Sequence, residues 1–220
     1  MSEQTVFPGE VAARLGKSKV VAVLIIDNPE DGPPLAKALL EGGVDIMELT
    51  LRTPAALGAL TLIKRQVPEM VAGIGTILTP RQVAECQAAG AEFGVAPGFN
   101  PHVLAAAKQH GLPFAPGICT PSEIEWAAEA GCRTLKFFPA ETAGGLKALR
   151  AMAAPYAHLG LSFIPLGGLS QDNFLDYLRD PAVLAIGGSW LARREEIREH
   201  QWAAITAKAA QARTAAQNLS

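Results

Sequence analysis

The chain is poor in the residues that build stapled, metal-bound or membrane-embedded proteins. Of 220 residues only three are cysteines (Cys86, Cys119, Cys132), an odd number with no CxxC pair, which argues against a disulfide framework or a zinc cluster. The four histidines (His102, His110, His158, His200) form neither HxxxH nor HxH, so the clustered ligands of a metal centre are missing. An excess of one charge is missing too: 19 basic residues face 21 acidic ones, a net charge of -2. Nucleic-acid binders carry a basic footprint that this balance lacks. The longest uninterrupted apolar run, Val20 to Ile26, is seven residues, against roughly 20 for a membrane span. The N-terminal MSEQTVFPGE has neither the basic start nor the apolar stretch of a signal peptide, which leads us to expect a cytoplasmic protein with no nucleic-acid or membrane partner. No GxGxxG follows the first apolar run, where the chain reads Asp27-Asn28-Pro29-Glu30, and this disfavours a doubly wound dinucleotide-binding sheet.

Glycine and proline, by contrast, are abundant. The 21 glycines and 16 prolines make about 17% of the chain, against a background of roughly 12%. With 49% hydrophobic residues and no low-complexity tract, that excess signals many tight connections and not disorder. Short apolar runs centred on Val23, Met47, Gly73, Val95, Ala115, Lys136, Ile164 and Ala185 recur every 20 to 28 residues. This is the room needed by a strand, a turn and a helix of about three turns. Between the runs lie helix starts with a capping residue and proline (Thr79-Pro80, Asn100-Pro101, Thr120-Pro121) and glycine stops (Gly42-Gly43, Gly90, Gly111, Gly131), the punctuation of repeated βα units. The spacing predicts a single (β/α)8 TIM-barrel domain over 1–220. Within it, 1–19 is an N-terminal helix able to plug the base, 20–200 the barrel and 201–220 an alanine-rich C-terminal helix. Trp126, Trp190 and Trp202 read as packing residues.

Barrel chemistry sits at the C-terminal ends of the strands. In Ile46-Met-Glu-Leu-Thr-Leu-Arg52 the alternation of a strand puts Glu48, Thr50 and Arg52 on one face and Met47, Leu49 and Leu51 on the other. The apolar set belongs against helices, so the polar set points into the mouth. A Glu–Arg pair that merely solvates a strand end is the competing reading. In Thr134-Leu-Lys-Phe-Phe138 the same rule puts Lys136 with Thr134 and Phe138. A lysine so flanked either snorkels to water or, desolvated beside Arg52, holds a free amine able to act as nucleophile. Gly167-Gly168 follows the seventh run and Gly187-Gly188-Ser189 the eighth. Barrels frequently bind phosphate on backbone N–H groups at those two loops. Gly144-Gly145 is either a mobile loop or a plain turn.

Taken in order, Glu48-Leu-Thr-Leu-Arg-Thr-Pro54, Gly73-Ile-Gly-Thr76, Ala96-Pro-Gly98, Pro116-Gly-Ile-Cys-Thr-Pro-Ser-Glu123, Lys136-Phe-Phe-Pro-Ala-Glu141, Pro165-Leu-Gly-Gly168 and Gly187-Gly-Ser-Trp190 resemble the 2-keto-3-deoxy-6-phosphogluconate (KDPG) aldolase family. These are class I Schiff-base lyases whose relatives also cleave 4-hydroxy-2-oxoglutarate (KHG). The resemblance implies Lys136 as the Schiff-base residue and Glu48 as the general acid/base. It implies Arg52 and Thr76 for the keto-acid carboxylate, and Pro97 and Phe138 as pocket walls. Gly167, Gly168, Gly187, Gly188 and Ser189 would hold the phosphate. It further implies a homotrimer that needs no metal or organic cofactor. One position departs: the family usually carries threonine where this chain has Leu166, which leads us to expect weaker binding of phosphorylated substrate or a shift toward less polar aldehydes. Two rival readings of the same residues are a sugar-phosphate isomerase or epimerase, and an inactive aldolase-like assembly protein.

Overall fold

Each strand carries two sets of side chains, and the fold buries them in different places. The computed structural model describes Phe7 and residues 9–219. In β1 (Val20–Leu24), β2 (Ile46–Thr50), β3 (Val71–Gly75) and β7 (Thr134–Phe137), one parity meets the helices: Ala22, Leu24, Met47, Leu49, Ala72, Ile74, Leu135 and Phe137 belong to one large apolar cluster. The opposite parity points inward, where Val21, Ile46, Val71, Phe93, Ala115 and Ile164 form a smaller cluster. Both faces of the sheet are therefore covered, which is why the strands read as near-continuous apolar runs.

The remaining strands are β4 (Gly94–Val95), β5 (Phe114–Ala115), β6 (Gly117–Ile118), β8 (Ser162–Pro165) and β9 (Ile186–Gly188). All pairings are parallel, in a six-stranded sheet ordered β5-β4-β3-β2-β1-β9 and a three-stranded sheet ordered β6-β7-β8. The result is an α/β fold whose parallel strands curl like part of a barrel. Pro116 separates β5 from β6 because it has no N–H to give the ladder, although its carbonyl still accepts from Lys136 N–H at 2.9 Å. Isolated parallel bridges, Phe163 with Val183 and Leu166 with Gly187, connect β8 to the β9 segment.

The helices are α1 (Gly9–Ser18), α2 (Gly32–Glu41), α3 (Ala55–Gln66), α4 (Pro80–Ala88), α5 (Pro101–His110), α6 (Pro121–Glu129), α7 (Gly145–Ala153), α8 (Phe174–Leu178), α9 (Arg194–Arg198) and α10 (Trp202–Gln217). Their starts follow the punctuation. Thr79 accepts from Gln82 N–H in a full capping box, Asn100 from His102 and Val103, and Thr120 from Glu123, each cap contributing about 1 kcal/mol. Gly43, Gly90, Gly111 and Gly131 all take the left-handed conformation at the helix ends. On α1, Val11, Ala12 and Leu15 pack on the inner cluster; residues 1–6 and 8 of the expected helix lie outside the described residues.

Several boundaries differ from the sequence pattern. β1 stops at Leu24, two residues short of the apolar run, and the carbonyl of Ile26 accepts instead from the Thr53 hydroxyl. β9 begins one residue after Ala185. The expected C-terminal helix is present as a separate element: α9 ends, His200 takes a positive φ of 53°, and α10 turns onto α2. There Thr206 donates to the Ala38 carbonyl at 3.0 Å. Trp126 is not a packing residue, being 54% exposed with one face tilted over Phe99.

Candidate active site

β2 and β7 bring their two charged side chains together inside the strands. Glu48 sits in register with Val23 on one side and Gly73 on the other, while Lys136 is opposite Gly117 and Ile164. Both point inward by the parity that sends their apolar neighbours to the helices. Lys136 Nζ donates to Glu48 Oε1 at 3.1 Å, with the two residues only 5% and 2% exposed. Desolvation makes such a pair a poor source of net stability. Removing one partner nevertheless leaves an uncompensated buried charge, a loss of about 3–5 kcal/mol. A site that bears this cost is a candidate for chemistry.

Glycine makes the pair possible. A Cβ built on Gly75 would lie 1.7 Å from Glu48 Oε1, so the carboxylate occupies the space a side chain on β3 would take. Beneath it, the Phe93 ring fills the corresponding space at Gly73. Gly117 plays the same part for the loop after β4, since a Cβ there would lie 2.3 Å from the Pro97 carbonyl group.

A cavity of about 250 Å³ opens above the pair. Its wall includes Glu48, Arg52, Thr76, Pro97, Lys136, Phe138, Gly167, Gly187 and Ser189, together with Val23, Thr50 and Leu166. Arg52 stands in the turn just past β2, at the rim. Thr76, just past β3, has a φ of 62°, a left-handed conformation that is strained for a β-branched residue and tends to persist at functional sites. The Phe138 ring lies 5.5 Å from Lys136 Nζ, within range of a cation–π contact. Thr50 donates to the Leu24 carbonyl at 3.0 Å, tying β2 to β1 below the mouth. At the rim, Arg194 grips Asp27 with two hydrogen bonds of 2.8 and 2.6 Å across the β9–β1 seam. That guanidinium holds the Asp27 carboxyl below its usual range.

Two of the expected site residues do not reach the cavity wall. Gly168 is exposed, with the Glu141 side chain where its own would stand, and the Trp190 ring covers the α-carbon of Gly188. Only Gly167 and Gly187 of the two glycine pairs border the open space. Val23 lines the wall without having been expected there. Its signal is its parity with Val21, which an unbroken apolar run conceals. The Leu166 side chain fills the space beside Gly187, where a Cβ would come within 2.5 Å of it. The chemical capacity of the site is plain: a buried amine touching a carboxylate, an arginine at the rim, and an apolar wall on the β1, β8 side.

The family model described as "KDPG and KHG aldolase" matches residues 11–208. A 2-dehydro-3-deoxy-phosphogluconate aldolase of Dickeya dadantii is 45% identical over 88% of this chain and 90% of its own length. The KHG/KDPG aldolase of Escherichia coli K12 is 43% identical over 88% of this chain and 90% of its own. Among solved structures, the KDPG aldolase of Legionella pneumophila, with pyruvate captured as a covalent carbinolamine intermediate, superposes with a TM-score of 0.86 at 38% identity, covering 90% of this chain and 96% of its own.

Proposed function

The chain belongs to the KDPG and KHG aldolase family, and on that premise we propose how its own residues divide the work of cleaving KDPG to pyruvate and glyceraldehyde 3-phosphate, with KHG as a second substrate. It is a carbon–carbon lyase. Relatives with these names give no support to an isomerase, an epimerase or an inactive assembly protein.

Lys136 is the nucleophile. Its free amine adds to the C2 ketone to give a carbinolamine, and loss of water leaves an iminium that acts as electron sink. Glu48, 3.1 Å from the amine, is the group placed to carry protons at each stage. It takes one proton from the paired Lys136 ammonium to free the amine; the added amine passes a second to the C2 oxygen, and Glu48 returns the first to the resulting hydroxyl, which departs as water. It then takes the C4 hydroxyl proton as the C3–C4 bond breaks. The aldehyde leaves, the bonding electrons pass into an enamine, and Glu48 returns the proton to C3. Hydrolysis of the pyruvate iminium frees Lys136. Arg52 and the Thr76 hydroxyl hold the carboxylate, an assignment supported by the rim position of the guanidinium and by the strength of charge-assisted hydrogen bonds. Pro97 and Phe138 wall the keto acid. Ser189 and the backbone of the Gly167-Gly168 and Gly187-Gly188 loops receive the phosphate, Gly168 and Gly188 contributing only through their backbone.

The single observation that carries this reading is the buried Lys136–Glu48 contact at the floor of the cavity. Incubation with pyruvate and borohydride tests it. The expected product is a reduced pyruvate adduct on Lys136, found by mass spectrometry of peptides; unlabelled protein after saturating pyruvate would refute it.

At the level of architecture we read the two sheets as arcs of a single closed (β/α)8 domain. Support comes from the continuity of β5 and β6 through Pro116 and from the two bridges at β8. We read the assembly as a homotrimer acting in the cytoplasm without metal or organic cofactor. The exposed apolar side chains of Leu78 and Trp126 suit an interface between copies, and light scattering of the eluted protein would give the mass. Among the described residues no helix is long and apolar enough to cross a membrane.

A further inference from the structure

Trp190 joins the two glycine loops, although it lies outside the cavity wall. Its six-membered ring occupies the space a side chain at Gly188 would need, with ring carbons 1.9 to 2.4 Å from a Cβ built there. The indole therefore lies flat on the backbone of the β9 loop. From that position it makes two contacts to the segment after β8. The ring packs on Phe174 with centroids 5.5 Å apart, and the indole N–H donates to Gln171 Oε1 at 3.2 Å. The Trp190 carbonyl is itself held by Lys208 Nζ at 2.9 Å, so the anchor is fixed on the helix side. The β8 loop is also tied to its other neighbour, with Ala140 N–H donating to the Leu166 carbonyl at 2.7 Å and Glu141 N–H to Gly167 at 3.0 Å.

We propose that Gln171 and Trp190 are positioning residues which set the spacing between the Gly167-Gly168 and Gly187-Ser189 backbones, and so determine the preference for a phosphorylated aldehyde. An anion bridging two loops is bound by several N–H groups at once, and its affinity depends on their separation. The keto-acid end, held by β2, β3 and β7, does not feel that separation. This inference rests on the reading of the two loops as the phosphate site.

The test compares KDPG with its unphosphorylated analogue in the wild type and in Gln171→Leu, Trp190→Phe and the double variant. Leu removes the acceptor and Phe the donor, while both keep apolar bulk. Each single variant is expected to lose about tenfold in kcat/KM for KDPG, seen mainly in KM. It should keep its rate with the unphosphorylated substrate and its borohydride trapping of pyruvate. The double variant should lose no more than Trp190→Phe alone, because Gln171→Leu removes only the hydrogen bond that the Phe variant has already lost. Equal losses on both substrates would show a merely structural role and overturn the proposal, as would unaltered KM for KDPG. A wild type that does not distinguish the two substrates would instead overturn the phosphate reading beneath it.

Discussion

Substituting Gly75 by alanine adds one methyl group to the inner face of β3 and tests the central geometry without touching a reacting atom. Gly75 is not among the left-handed glycines, so its backbone accepts alanine. The obstacle is Glu48. The new Cβ would lie 1.7 Å from Oε1, 2.6 Å from Cδ and 2.9 Å from Cγ, and a normal carbon–oxygen contact requires the carboxylate to retreat by about 1.5 Å. A retreat of that size breaks the 3.1 Å contact with Lys136 Nζ and withdraws the proton carrier from the amine. Misplacement on this scale costs about 100-fold in rate. The stability loss is smaller than the ~3–5 kcal/mol of deleting a partner, because the carboxylate can swing toward the open cavity. About 1–2 kcal/mol, or a few degrees in Tm, is expected. The assay is steady-state KDPG cleavage followed by pyruvate release, with thermal unfolding alongside. Its control is Glu48→Ala, which removes the three atoms nearest to the added methyl, so that the methyl should cost no further activity there. Wild-type kcat in Gly75→Ala, or a further loss on the Glu48→Ala background, would refute the reasoning.

Two further outcomes follow from particular side chains. Leu166→Thr places a hydroxyl on the wall where an apolar side chain now stands; the ratio of kcat/KM for phosphorylated over unphosphorylated substrate should rise about tenfold, and an unchanged ratio would dismiss Leu166 as a specificity element. Burial pushes the Cys86 and Cys132 thiols up to about 12 and about 11. Between pH 9 and 11 the unfolded chain therefore releases protons that the native state keeps, and native stability should fall as pH rises, by up to ~1.4 kcal/mol per pH unit per thiol. Denaturant unfolding across that range should show a shallower slope in the Cys86→Ala, Cys132→Ala variant; identical slopes would remove the thiols as the cause.

What could be read from the chain alone was whatever depends on local periodicity. Parity in Ile46–Thr50 and Thr134–Phe137 separates the residues facing helices from Glu48 and Lys136, because a strand alternates its faces regardless of what surrounds it. Thr79, Asn100 and Thr120 mark helix starts because a capping hydrogen bond spans only two or three residues. Such marks hold wherever one element decides its own geometry. They fail where a neighbour decides: nothing local exposes Trp126, directs α10 onto α2, or reveals Val23 as a wall residue in an unbroken apolar run. The tertiary structure alone established that Lys136 touches Glu48 across 88 residues of chain. It also gave the abundant glycine a second use. Besides ending helices, Gly75 and Gly117 clear space on the inner face, and Gly188 receives the Trp190 ring. A missing Cβ has a meaning only once the atom that fills its place is known, and at Gly75 and Gly117 that atom comes from a distant part of the sequence.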